Sequence, residues 1–190
     1  MEKTQIIFLR HADTKKDPKI NATLWGLSER GEEQAKKVSF VNVMKEIDSI
    51  YTSEEQKTIL TAKPIADSLS KEIRSLYFFN EVKRGDKFLS EEKFEEEKEK
   101  QLKDLNYSAF NGETGIEALK RFREGVLKVA RENIGKKILI VTHGTILNIY
   151  FANILKKGAD LIERWNNTNF CAYGIIEITQ GKEKVIKDII

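Results

Sequence analysis

Only two histidines occur in the 190 residues, and each closes a short apolar run. His11 ends Gln5-Ile6-Ile7-Phe8-Leu9-Arg10-His11, and His143 ends Lys137-Ile138-Leu139-Ile140-Val141-Thr142-His143. Imidazole titrates closest to neutrality of all side chains, so it suits nucleophilic and acid–base work. Arg10 sets a guanidinium fork beside the first imidazole, a shape that matches phosphate oxygens in bidentate fashion. His143, when protonated, supplies a second cation. Gly144 opens a helix whose free N–H groups favour an anion. A histidine attacking phosphorus needs its lone pair in line and cations around the oxygens that gather charge. Taken singly, a histidine at a strand end is an ordinary structural residue. Arg10 argues against that here, because a guanidinium left without a partner beside a buried strand is costly.

The elements that must carry these groups alternate. Both histidine-bearing runs read as strands buried on both faces, and open parallel sheets put their chemistry beyond the carboxyl ends of such strands. Ser28 reads as the N-cap of a helix through about residue 46, with Glu32 and Glu33 in its early turns. Residues 48–52 read as a second strand, and roughly 54–69 as a helix in which Pro64 is a local inconsistency. A third strand fits 72–79. Thr114 caps a helix to about Asn133 that Gly135 stops, a helix follows from about Thr145 to Leu155, and a last strand spans about 172–178. The fold expected is α/β: a three-layer sandwich with a mostly parallel central sheet and helices on both faces.

One domain over 1–190 is expected, with no repeat and no linker. Within it, Glu91 to Lys100 is almost all charge with signs interleaved at helical spacing, which reads as a solvated helix face. A second reading makes 86–111 an insertion over the site mouth, with Phe88, Leu89, Phe94, Leu102 and Leu105 facing inward. A net charge of +3, with Lys and Arg mixed among Glu, argues against a nucleic-acid partner. Cys171 alone excludes an internal disulfide and fits a reducing compartment. No apolar run is long enough to span a membrane, and the N-terminal residues lack a secretory pattern, so a cytoplasmic protein is the expectation. One cysteine and two histidines are too few for a Cys/His metal site, and no clustered Asp suggests magnesium, so no cofactor is expected. The oligomeric state is left open.

Several short motifs then fall in a recognisable order. Leu9-Arg10-His11-Ala12 resembles the Arg-His-Gly signature of the histidine phosphatase superfamily, the phosphoglycerate mutase-like group of branch 1. Leu27 to Ala35 is similar to its Leu-Thr-x-x-Gly-x-x-Gln-Ala stretch. Tyr51-Thr52-Ser53 with Thr61-Ala62-x-x-Ile65-Ala66 resembles its second strand and helix. Gly112-Glu113-Thr114 is similar to its Gly-Glu-Ser turn, and Val141-Thr142-His143-Gly144 to its second-histidine motif. The resemblance runs from residue 6 to about residue 178.

That resemblance implies a metal-independent phosphatase that hydrolyses a phosphomonoester through a phosphohistidine on His11. Arg10 and His143 would hold phosphoryl oxygens. Glu81 would be the general acid, with Glu113 as its rival; such an acid needs a raised pKa to donate at neutral pH. Gly144, Thr14 and Asn21 would add phosphate contacts. Asn167-Thr168-Asn169-Phe170 resembles a segment near the pocket, and an ordinary turn is the competing reading. Trp25 would fill its own loop or stack on substrate. The substrate would be a small phosphorylated metabolite or a phosphoprotein.

Two departures stand out. Ala12 replaces the signature glycine and adds one methyl. Reading Ser53-Glu54-Glu55-Gln56-Lys57-Thr58-Ile59-Leu60-Thr61-Ala62 against the family's Ser-x-Leu-x-Arg-Ala-x-Gln-Thr-Ala puts Lys57 where a second phosphate-binding arginine belongs. Lysine keeps the charge and loses the fork. On that ground a weakly active or inactive phospholigand- or protein-binding module is one alternative. A phosphoglycerate mutase-type isomerase is the other, disfavoured by the short chain and by Ala-Asp-Thr after Arg-His.

Overall fold

The two histidine-bearing runs lie side by side. In the computed structural model, which describes residues 2–85 and 90–190, Gln5 to Arg10 pairs in parallel with Lys137 to Thr142, and Arg10 faces Thr142. Along the chain run β1 (Thr4–Arg10), α1 (Glu29–Ser39), β2 (Ser49–Thr52), α2 (Gln56–Leu69) and β3 (Ile73–Ser75). Then come α3 (Glu91–Lys103), α4 (Gly115–Glu132), β4 (Lys137–Thr142), α5 (Gly144–Leu155), α6 (Leu161–Asn167), β5 (Tyr173–Thr179) and β6 (Lys182–Lys187). The strands form one sheet in the order β3-β2-β4-β1-β5-β6.

Alternation along the strands sorts the core into two halves. Ile6, Phe8, Ile138 and Ile140 face α4 and α5, where Phe122, Val126, Ile146 and Tyr150 meet them. Ile7, Leu9, Leu139 and Val141 face α1 and α2, against Val38, Ala62 and Ile65. Phe8 is ringed by Phe122, Tyr150 and Phe151 at centroid distances of 5.8, 5.4 and 5.7 Å. Burying one such ring stabilises the fold by about 1.5–3 kcal/mol. With helices on both faces, both strand ends at Arg10 and Thr142 open at the same edge. The three-layer expectation holds.

The sheet is mixed rather than uniformly parallel. β5 runs antiparallel to β1, and β6 antiparallel to β5. β6 is absent from the sequence reading because Lys-Glu-Lys-Val-Ile-Lys carries the charges of an edge strand. Its turn is two residues, Gln180 and Gly181, both at positive φ as a tight hairpin demands.

Three expected elements are shorter. α1 ends at Ser39 instead of about 46, because Val41 is extended and turns the chain so that Met44 and Ile47 reach the core. β3 stops at Ser75; a 3-10 turn over Tyr77–Phe79 then buries Phe79 against Phe122, 5.7 Å between ring centroids. α2 begins at Gln56 and runs through Pro64. α6 was not expected at all.

The charged helix is not simply a solvated face. Glu97, Lys98, Gln101 and Leu102 of α3 are buried, and Leu105 packs on the core. Phe94 is half-buried; Phe88 and Leu89 lie outside the described residues. Among the described residues no helix is long and apolar enough to cross a membrane.

Candidate active site

His11 is fixed by the two strands that flank it. Its N–H donates to Thr142 O of β4 at 2.9 Å, and its carbonyl accepts from Cys171 N–H. The loop beyond is tied to α1: Asp13 N–H donates to Gln34 Oε1, and Ser28 Oγ donates to Asp13 Oδ2. Ala12 is fully buried, and its N–H donates to Thr61 Oγ1 of α2. His11 Nδ1 stands 2.8 Å from Ala12 O, a carbonyl that can only accept. The proton therefore sits on Nδ1, and the Nε2 lone pair is free.

His143 ends β4, its ring centroid 5.2 Å from that of His11. Its Nε2 meets Ser53 Oγ at 2.8 Å and Glu55 Oε1 at 3.2 Å. Burial first, then the neighbouring His143, push the His11 imidazole well below its ordinary pKa. Burial also lowers His143, against the opposing pull of the Glu55 and Glu81 carboxylates. In both rings burial favours the neutral imidazole, the form a nucleophile needs.

Arg10 is buried, and Nη1 donates to Thr168 O. Its guanidinium lies between the Phe170 ring at 4.4 Å and the Trp165 ring at 5.3 Å, while Nε has no hydrogen-bond partner among the described residues. A Cβ on Gly144 would come within 3.0 Å of that Nε, so glycine here makes room for the arginine. Asn167 to Phe170 is thus part of the site. Phe170 also packs on His11 at 5.7 Å. Behind it, Thr168 Oγ1 donates to Arg164 O, and Arg164 is bonded in bidentate fashion to Asp188.

Glu81 is half-buried against the start of α5. Its Oε2 accepts from Thr145 N–H and its Oε1 from Ile146 N–H, both at 3.0 Å, and Val82 N–H adds a third bond. Burial by itself would raise this carboxyl. The charges of His143 and Arg84 and the backbone N–H groups outweigh it, so the pKa lies below the ordinary value. This corrects the expected raised pKa. The rival Glu113 is held elsewhere, 2.8 and 2.7 Å from Arg121 Nε and Nη2.

Lys57 does not stand open to a ligand. Its Nζ donates to Glu55 Oε2 at 2.5 Å and to Ala22 O at 2.8 Å, 5.9 Å from the Trp25 ring. Trp25 Nε1–H donates to Asp17 O, so this ring fills its own loop. Thr14 pairs through its backbone with Leu27. Asn21 is exposed and spends its Oδ1 on Thr23 as the cap of a 3-10 turn. Neither makes a hydrogen bond to the histidines, Arg10 or Lys57. The fold therefore gathers Arg10, His11, Lys57, Glu81, His143 and Gly144 at one sheet edge, and no hydrogen bond among the described residues ties Thr14 or Asn21 to them.

Sequence reasoning missed four contributors. Glu55 had a signal: the alignment that sets Lys57 at an arginine sets Glu55 at a leucine. Ser53 was visible only as part of a motif. Arg84 and Lys98 had none, being two cations among 33. Arg84 Nη2 donates to Thr145 Oγ1 and its guanidinium lies 5.2 Å from the Phe94 ring. Lys98 Nζ lies 3.1 Å from the centre of the Trp165 ring that Arg10 also approaches.

The mixed sheet thus presents two facing histidines and a buried arginine at one edge, groups whose chemistry suits phosphoryl transfer. The chain belongs to the histidine phosphatase superfamily, branch 1, whose profile matches residues 6–188. It is 24% identical to phosphoserine phosphatase 1 of Hydrogenobacter thermophilus over 193 residues, covering 96% of this chain and 90% of that one. A mycobacterial glucosyl-3-phosphoglycerate phosphatase superposes with a TM-score of 0.80 at 17% identity, over 97% and 98% of the two chains. A phosphoserine phosphatase variant from Entamoeba histolytica, solved with phosphoserine, gives 0.77 at 20% identity, over 97% and 96%.

Proposed function

We propose that this protein hydrolyses a small phosphomonoester through a phosphohistidine on His11, without a metal. The observation that carries the reading is the His11 ring: Nδ1 is spent on Ala12 O, leaving Nε2 beside His143. Nε2 attacks phosphorus and the ester P–O bond breaks. Arg10 and His143 hold the phosphoryl oxygens as charge moves onto them. The leaving alkoxide takes a proton from Glu81. Glu81 then accepts a proton from the water that attacks the phosphohistidine, releasing phosphate and free His11. An arriving phosphate group beside Glu81 raises the proton affinity of that carboxylate, which offsets the three N–H bonds that lower it.

The substrate is a metabolite whose leaving group is itself anionic, of the phosphoserine kind. Arg84 and Lys98 support this, as two buried cations on the wall next to Arg10. The lone Cys171, its thiol pushed up to about 12 chiefly by burial, supports work in a reducing cytoplasm. The test is a panel of phosphomonoesters assayed in EDTA with wild type and His11→Ala. Turnover by wild type alone is expected. Undiminished activity in the variant, or abolition by EDTA, overturns the mechanism.

A further inference from the structure

We propose that Glu55 makes the phosphoryl pocket selective for a protonated, monoanionic phosphoryl group and against fully ionised oxyanions. The proposal rests on reading the site as a phosphoryl pocket. Glu55 is buried at the start of α2, where it bridges three donors. Lys57 Nζ stands 2.5 Å from Oε2, His143 Nε2 stands 3.2 Å from Oε1, and Glu81 N–H donates to Oε1 at 3.1 Å. Lys57 and His143 are the two groups that the family pattern gives to phosphoryl oxygens on this side. In this chain both already hold a carboxylate.

Glu55 in place of leucine and Lys57 in place of arginine are therefore a single departure from the family pattern. Leucine with arginine is a neutral side chain beside an open fork; Glu55 with Lys57 is a contact ion pair of nearly zero net charge. The charged and titratable groups around Glu55 are Lys57 from its own segment, His143 from the β4 end, Glu81 behind it and Arg10 beyond the histidines. An ionised carboxylate offers lone pairs only. Against a phosphate dianion it sets acceptor against acceptor and charge against like charge, in surroundings of low dielectric. A single proton between them replaces that repulsion with an O–H···O⁻ hydrogen bond, among the strongest kinds. Phosphomonoesters lose their second proton near pH 6, so the monoanion is at hand around neutrality. The proton arrives on the ligand and is shared between one phosphoryl oxygen and Glu55; no other bond changes.

Sulfate is the control, a tetrahedral oxyanion that carries no proton at these pH values. Calorimetric titration of wild type and Glu55→Gln with inorganic phosphate and with sulfate tests the proposal. Titration of His143 or Glu81 acts on both anions, so their affinity ratio isolates the ligand's proton. In wild type, phosphate binds about tenfold or more tighter than sulfate, the scale of one charge-assisted hydrogen bond, and the ratio shrinks as pH rises through the second ionisation of phosphate. Glutamine can donate as well as accept, so the ratio in the variant collapses toward one. An unchanged ratio in a folded Glu55→Gln protein overturns the role of Glu55. A wild-type ratio flat across the ionisation of phosphate overturns it as well, without any variant. Failure of wild type to bind phosphate at all overturns the pocket itself.

Discussion

Arg121 grips Glu113 with two of its guanidinium nitrogens and uses a third to collect backbone carbonyls from the segment that presents Glu81. Nη1 donates to Tyr77 O, Phe78 O and Asn80 O at 3.2, 2.7 and 3.1 Å, and Nη2 reaches Glu81 O at 3.4 Å. Glu113 thus sets the guanidinium that sets the turn. In the mechanism proposed above it is a positioning residue, one step removed from the proton transfer.

Glu113→Gln keeps the shape and removes the charge. We expect a stability loss of about 1–3 kcal/mol, the cost of disturbing a hydrogen-bonded charge that is mostly buried. kcat should fall with little change in KM, because the Glu81 turn loosens. Thermal melts and steady-state kinetics decide it; loss of all turnover with full stability would make Glu113 the acid after all.

Gly144→Ala tests the seat of Arg10. The added methyl meets a guanidinium at 3.0 Å and can be accommodated only if Arg10 shifts off its Phe170 and Trp165 rings by a few tenths of an ångström. kcat/KM should drop about tenfold, given how steeply rate depends on ångström-scale placement. The melting temperature should hardly move. Unaltered kinetics would mean that Arg10 tolerates more freedom than its packing suggests.

The pH profile of kcat/KM should lie on the acid side. His11 must be neutral to attack, and burial holds its pKa well below 6.5, so the acid limb falls below that value. Glu81 must carry a proton to assist departure, and its pKa is also low, so activity declines as pH rises through neutrality. Rates followed in constant ionic strength buffers would show this. A profile still climbing at alkaline pH contradicts the assignment of acid and nucleophile.

Stability follows the same two rings with a definite sign. Unfolded, each histidine takes a proton near its ordinary value of 6.5; folded, each resists it. The unfolded chain therefore binds more protons below that pH, and stability present above 6.5 is lost as pH falls from it toward the folded pKa values. Urea midpoints on either side of pH 6 should differ in wild type and differ less in His11→Ala.

Arg84→Met separates the leaving-group wall from the phosphoryl pocket. KM for phosphoserine should rise about tenfold, the scale of one hydrogen bond to a charged group. For phosphoethanolamine, which lacks the carboxylate, it should stay nearly constant. An equal loss on both substrates would place Arg84 with the phosphate instead.

How much of this was legible depends on what carries the signal. β1 and β4 are continuous apolar runs, and buried strands cannot easily be anything else, so both histidines could be placed at one sheet edge. Thr114 and Ser28 announced two helix starts through their own side-chain chemistry, and both cap as expected. β6 could not be read, since an edge strand keeps its charges in water. Nor could the burial of Lys98: its ammonium is covered by Trp165, 67 positions later, in a helix the sequence did not reveal. The partners of Glu81 belong to the same kind. Proximity of a carboxylate to a helix start is visible only once the helix and the turn are folded together.

Glu81 spends the resting state as the missing first bond of α5. As the acid and base of the mechanism proposed above, the carboxylate would have to weaken and then restore its grip on the amides of Thr145 and Ile146. Each turnover by that mechanism would pluck one end of a helix that reaches through the core. Those two amides become spectators from which the cycle can be timed: their nitrogen and proton resonances should report the charge of Glu81 with no substrate label and no probe added.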